Sequence, residues 1–196
     1  FMSEPEVRSN IGRALAGRRE QMYLQGHIGS AWIDGQYTRT RDIPTAQAAF
    51  QDFLDRIGTD YVDIGMIHFV DTQEDFDAVF HGPFIEYACS LKEKGIIHAL
   101  GMSSHNPVVA LQAVRTGLLD VLMFSLNPAY DLLPEDTDVD ALFQAETFQK
   151  DGLLGVNPSR DTLYRTCEAM GVGITVMKGL GAGVLLDAKA SPFRMA

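Results

Sequence analysis

The chain has 196 residues, enough for one domain, and its 46% apolar content is ordinary for a folded globular protein. A net charge of −10 argues against nucleic acid or an anionic membrane as main partners, yet leaves room for a phosphorylated cofactor held by backbone amides and one or two cations. Cys89 and Cys167 fall inside helical patterns and make neither a disulfide framework nor a metal knuckle; no apolar run reaches membrane-spanning length and no signal peptide is visible, so a cytoplasmic setting is expected.

In chain order, Ser3-Glu4-Pro5-Glu6 reads as a helix start, with Ser3 as cap and Glu6 closing a capping box. Val7, Ile11, Ala14 and Leu15 keep one apolar face, and Gly17 stops the helix. Met22 to Ile28 is a short strand, and a helix is expected from about Pro44 to Ile57. Tyr61 to Phe69 is a nearly continuous apolar strand, as a sheet covered on both faces requires. Phe76 to Lys94 is helical, with a break at Gly82-Pro83; Ile96 to Ser103 is a strand. Pro107 to Arg115 is a helix with Pro in its first turn and Gly117 past its end. Val121 to Leu126 is a strand, Asp161 to Ala169 a helix, and Val172 to Met177 a strand ending in Lys178-Gly179-Leu180-Gly181.

Strands alternating with helices predict a parallel α/β sheet, and with no linker or composition break residues 1–196 form a single domain. Chemistry in such repeats gathers at the carboxyl ends of the strands. His27, His68 and His105 lie at three such ends. Two long connections, Ser30 to Ile43 and Pro128 to Arg160, leave strand ends and are expected to act as lids. Their aromatics Trp32, Tyr37 and Tyr130 are candidates for a substrate wall, or else anchors that pack the loops down.

The stretches IGRALAGRR, LDRIGTDYVDIGMIHFV, GMSSHNPVVALQAVRTGLLDVLMFSLNPAYDLLP and LYRTCEAMGVGITVMKGLGAGVLL resemble the aldo-keto reductase family. The resemblance is closest to the microbial branch whose members often carry a ferredoxin-like tail. It implies a (β/α)8 TIM barrel that binds a nicotinamide cofactor, NADP(H) with NAD(H) as the alternative, and reduces aldehydes or ketones. The chain corresponds to about five of the eight strand–helix units, the central part of the barrel. The tail has no counterpart here, so no iron–sulfur cluster is assigned.

The resemblance makes His68 the active-site histidine, which orients the substrate carbonyl and shares in proton delivery. From chemistry alone a histidine titrating near neutrality suits that task, although a core histidine bonded to backbone has the same sequence appearance. At His27 the family usually places a lysine that lowers the pKa of a tyrosine proton donor; Phe1 lies at or beside the place of that tyrosine. Histidine supplies no permanent charge, so a His27–His68 pair is expected to deliver the proton instead. Ser103 and Ser104 match the pair that holds the nicotinamide carboxamide, where the second is usually Asn; both also suit a loop or helix entry before Asn106-Pro107. Asn127 falls near the far edge of the nicotinamide. Lys178, Gly179, Leu180 and Gly181 correspond to the loop over the cofactor pyrophosphate, where glycine permits close approach and lysine adds charge. His105 and Trp32 are candidate substrate contacts.

Two other readings stay open. A metal-dependent hydrolase would use His27, His68 and His105 with a carboxylate such as Asp71, but no H-x-H or H-E-x-x-H spacing supports it, and no metal ligand is assigned. A non-catalytic or divergent cofactor-binding barrel is suggested by the departures at position 27 and beside Phe1. Substrate and oligomeric state are not legible.

Overall fold

The computed structural model describes residues 4–134, 137–148 and 157–186. The strands β1 (Gln25–Ile28), β4 (Val62–Ile67), β5 (Ile97–Ser104), β6 (Val121–Ser125) and β7 (Gly173–Met177) form one parallel sheet in that order. A separate antiparallel hairpin, β2 (Ser30–Ile33) and β3 (Gln36–Arg39), follows β1. The helices are α1 (Pro5–Leu15), α2 (Ile43–Ile57), α3 (Gln73–Phe80), α4 (Pro83–Glu93), α5 (Pro107–Arg115), α6 (Pro128–Asp131) and α7 (Pro158–Met170). None of the described helices is long and apolar enough to cross a membrane.

The helix starts are written into the sequence as side-chain caps. Asp42 accepts from Thr45 N–H, Thr72 from Asp75 N–H, Asn106 from Val108 and Val109 N–H, and Asn157 from Arg160 N–H. Each satisfies a backbone donor that the first helical turn leaves without a partner. The expected break at Gly82-Pro83 divides α3 from α4, with Pro83 in the first turn of α4.

Strand alternation divides the side chains into two sets. Ile28, Ile67, Leu100, Met102, Leu122 and Phe124 are buried against the helix layer, which contributes Phe50, Phe53, Phe84, Ala88, Ala110 and Leu163. Each large apolar side chain so buried contributes about 1.5–3 kcal/mol. Register places His27, Met66 and Gly101 side by side on the opposite face, followed by Ser103, Met123 and Thr175. That face would line the interior of a closed barrel.

Several expectations are corrected. The first helix has Glu4 at its N-cap with no side-chain capping bond, and Ser3 lies outside the described residues. The strand expected from Met22 begins only at Gln25, because a 3₁₀ turn at Arg19–Gln21 precedes it. The span Ser30 to Ile43, expected as a loop, contains the hairpin, turning at Asp34-Gly35 where both residues have positive φ (52° and 76°). Asp-Gly is a strong signal for this turn. The last helix starts at Pro158 rather than Asp161, since Pro is accommodated in a first turn.

The connection after β6 is packed where it is described. Ala129, Tyr130, Leu133, Leu142 and Phe148 form a second apolar cluster with Leu185, and the Tyr130 hydroxyl donates to Leu142 C=O at 2.9 Å. Tyr130 therefore serves as an anchor of that segment.

Candidate functional site

His68 follows the last residue of β4, and its N–H donates to Ile28 C=O at 2.9 Å, which extends the β1–β4 pairing by one step. Its ring lies 4.6 Å from that of His27, at 34°. Tyr37 of β3 meets the same ring edge-on at 5.4 Å. Gln25 Nε2 lies 3.2 Å from His27 Nε2. Burial, reinforced by the charge of Arg8, lowers the His27 pKa from 6.5 to about 4. Burial lowers that of His68 to about 3, with further contributions from His27, Arg41, Arg39 and His105. Both imidazoles are thus neutral at pH 7, because a buried cation lacks the solvation it needs. His68 Nδ1 is buried with no hydrogen-bond partner among the described residues.

A second group occupies the neighbouring strand ends. The Asp71 carboxylate receives His105 N–H at 2.6 Å and the Ser104 hydroxyl at 3.0 Å on Oδ1, while Oδ2 lies 2.7 Å from His105 Nδ1. Burial pushes this carboxyl up, but those hydrogen bonds outweigh it, and the net pKa falls below the usual value. Asn106 Nδ2 donates to Asp71 C=O at 3.0 Å and fixes the turn. The other ring nitrogen of His105, Nε2, meets Lys178 Nζ, which arrives from beyond the end of β7. Burial lowers the Lys178 pKa, with Asp71 acting in the opposite sense. An anionic Asp71 takes the Nδ1–H tautomer of His105, leaving Nε2 as an acceptor for the lysine.

Phe69 joins the two groups, its ring centroid 5.0 Å from His68 and 6.2 Å from His105. His27, His68, His105 and Lys178 therefore belong to one strand-end region. Lys178 has a left-handed backbone (φ 54°), a conformation that costs a non-glycine residue about 1–2 kcal/mol. Asn127 Nδ2 and Gly181 N–H hold it there, donating to Lys178 C=O at 3.2 and 2.7 Å.

The other expected residues are distributed as follows. Ser103 is buried on the interior face, 3.5 Å from Ile67 C=O. Ser104 is fully buried and committed to Asp71 and to Val70 C=O (2.7 Å), so its hydroxyl supports the turn after β4 instead of facing the interior. Asn127 is buried and caps α6 through Tyr130 N–H. Gly179 borders open space, whereas Gly181 is buried against Leu185. Trp32 pairs with Tyr37 across the hairpin and lines a groove of about 620 Å³ between β2, α1 and α2. Phe1 lies outside the described residues. The three-histidine metal arrangement does not form: among the described residues no group of three or more His, Cys, Asp and Glu side chains is placed to hold an ion, and His105 is engaged by Asp71 and Lys178.

Arg39 and Arg41, visible in the sequence as part of the Ser30 to Ile43 connection, had no expected role. Arg41 Nε and Nη2 each lie 2.8 Å from an oxygen of the buried Asp75, and Arg39 Nη1 joins at 2.8 Å. Arg41 Nη2 also donates to His68 C=O at 2.7 Å and Phe69 C=O at 2.8 Å. The hairpin is thereby pinned over the end of β4. Two further interior hydroxyls, Ser125 Oγ and Thr175 Oγ1, are buried with no hydrogen-bond partner among the described residues. Buried polar atoms are ordinarily paired, so these two on adjacent strands suit a polar ligand lying along β6 and β7.

Comparison with curated proteins found no match. The Aldo/keto reductase family model matches residues 4–196. Similar solved structures include an aldo-keto reductase from Bacillus halodurans in its holo form (22% identity, TM-score 0.63, 91% of this chain and 50% of that one). Others are a putative aldo-keto reductase from Pseudomonas aeruginosa (19%, 0.62, 86% and 55%) and an aldo/keto reductase from Klebsiella pneumoniae in complex with NADP and acetate (16%, 0.54, 92% and 51%). The chain spans about half the length of these structures, and at these identities the likeness establishes the fold: α/β, of the (β/α)8-barrel type, with five strands of the parallel sheet described.

Proposed function

The chain belongs to the aldo/keto reductase family, and on that premise we propose that the protein is an NAD(P)H-dependent oxidoreductase that reduces an aldehyde or ketone. When bound, the cofactor would supply the hydride to the carbonyl carbon. The observation that carries the reading is the convergence of His27, His68, His105 and Lys178 on one set of strand ends, beside buried interior hydroxyls with no hydrogen-bond partner among the described residues.

The residues that would hold the cofactor are Ser103, Asn127 and the Lys178–Gly181 loop, with Ser125 and Thr175 added because their hydroxyls have no partner among the described residues. Ser104 is left to support Asp71. His68 and His27 are neutral, so they act as hydrogen-bond donors to the substrate oxygen; a neutral imidazole is too weak an acid to give up its N–H proton. This replaces the proton-delivering role expected of the pair, and burial is the reason. Tyr37 and the pinned hairpin cover His68 and limit access of water.

The test is oxidation of NADPH and NADH by the full-length protein against a panel of aldehydes and ketones. Saturable cofactor binding with turnover is expected, and His68→Ala should lower kcat/KM about 100-fold. Binding without turnover would assign a non-catalytic barrel, and no nicotinamide binding would reject the reading.

A further inference from the structure

We propose that Arg41 is a positioning residue for His68, holding the backbone on which that imidazole is mounted, with Asp75 as its clamp. The inference rests on the reductase reading above and deepens it. The guanidinium is closely fitted. Nε and Nη2 each lie 2.8 Å from an oxygen of Asp75, and Nη2 also serves His68 C=O at 2.7 Å and Phe69 C=O at 2.8 Å. The Phe84 ring lies 5.2 Å from the guanidinium carbon. Gly29 makes room for it: a Cβ there would stand 3.0 Å from Arg41 Nη1 and 2.8 Å from Thr40 C=O. Asp75 sits in the first turn of α3, where a negative charge is favoured, and its N–H donates to Thr72 Oγ1 at 3.2 Å. The clamp is thus anchored to a helix, and Arg39 Nη1 joins it at 2.8 Å. An arginine that only closed the hairpin would need Asp75 and nothing from the strand end.

Two consequences bear on the reaction. The first is placement. His68 is tied on both sides of its Cα: its N–H donates to Ile28 C=O at 2.9 Å, and its C=O accepts from Arg41. A donor aimed at a substrate oxygen loses much of its effect when it is misplaced by about an ångström. The second is charge. His68 faces His27 from β1, Tyr37 and Arg39 from the hairpin, Arg41 behind its carbonyl and His105 from beyond β5, with Asp75 behind the two arginines. Burial is the main reason the His68 pKa falls, and His27, Arg41, Arg39 and His105 add to it in that order. Arg41 thus helps keep the ring a neutral donor, since a second cation beside it is disfavoured.

Two variants of the full-length protein test this, with Tm recorded for each. Arg41→Lys keeps the charge but loses the fork. It should lower kcat about tenfold with KM within about threefold, the split expected when placement for the reaction is lost. Arg41→Ala loses both fork and charge, while Asp75 keeps Arg39 as a partner. It should lower kcat at least as far and recover part of it on adding guanidinium well below denaturing concentrations. In NMR spectra at pH 7 the His68 ring shifts, set by the neighbouring rings of His27, Tyr37 and Phe69, should move in both variants. In Arg41→Ala the ring should also protonate at a higher pH than in the wild type. A lower Tm with kcat unchanged in both variants would make Arg41 a structural residue only and overturn the proposal. Ring shifts identical to wild type in both variants would overturn it too. A wild-type protein without turnover over the whole carbonyl panel would instead mark failure of the reductase reading; the ring shifts need no turnover and would still decide whether Arg41 holds His68.

Discussion

Arg41 grips both carboxylate oxygens of Asp75 at 2.8 Å, and the same guanidinium reaches the carbonyls of His68 and Phe69. A bidentate pair of this kind fixes orientation as well as distance. It ties α3, the hairpin and the end of β4 into one unit around His68. Asp75 is buried, so its removal takes the anion from Arg41, which is largely covered, while Arg39 keeps access to solvent. Asp75→Ala should cost about 3–5 kcal/mol in urea unfolding. Arg41→Lys loses the fork and should cost less, while still loosening the hairpin over His68.

The pair His27 and His68 makes the fold sensitive to mild acid. Unfolded imidazoles protonate near pH 6.5, whereas the folded ones wait until about pH 4 and about pH 3. Between those limits the unfolded state binds more protons, so stability falls as pH drops. Unfolding free energy measured from pH 7 to pH 4 should decline across that window. His27→Gln and His68→Gln should each flatten the decline, whatever they do to stability at pH 7. An identical slope in both variants would show that the imidazoles do not carry the effect.

How far the sequence reached depends on how local each signal is. The β4 run and the Gly82-Pro83 break were readable because apolar continuity and Pro geometry act within a few residues. Strand ends followed from the alternation, and so did the positions of His27, His68 and His105. The pairing of Asp71 with His105, and of His105 with Lys178, was not readable, because those partners meet across 34 and 73 residues of chain. The hairpin carried a local signal, Asp34-Gly35, hidden by reading the whole span as a lid. The pKa values of His27 and His68 depend on burial, which residue type does not reveal.

Asn127 links two segments through one amide, capping α6 at Tyr130 N–H and bonding Lys178 C=O. Asn127→Ala should cost about 0.5–2 kcal/mol for the cap alone. The loss of the second bond should free Lys178, seen as faster amide exchange at Gly179 and Gly181. Exchange unchanged in this loop would assign Asn127 to the cap only.

Gly12 allows α1 to touch α2. A Cβ there would lie 2.3 Å from Arg56 C=O and 2.8 Å from Ile57 C=O, and backbone cannot yield as a flexible side chain does. Alanine would gain about 1 kcal/mol of helix propensity, but the overlap should cost about 1–3 kcal/mol. Gly12→Ala should therefore lower Tm slightly; a higher Tm would mean that the two helices pack less closely than described.

The central claim is that these strand ends hold a nicotinamide beside a carbonyl. Its most direct test uses full-length protein, reduced cofactor carrying deuterium at the transferable position, and a panel of aldehydes and ketones. The account predicts an alcohol product with deuterium on the carbinol carbon, formed far more slowly when His68 is replaced by Ala. Product without the label, or no product from any carbonyl in the panel, would contradict it.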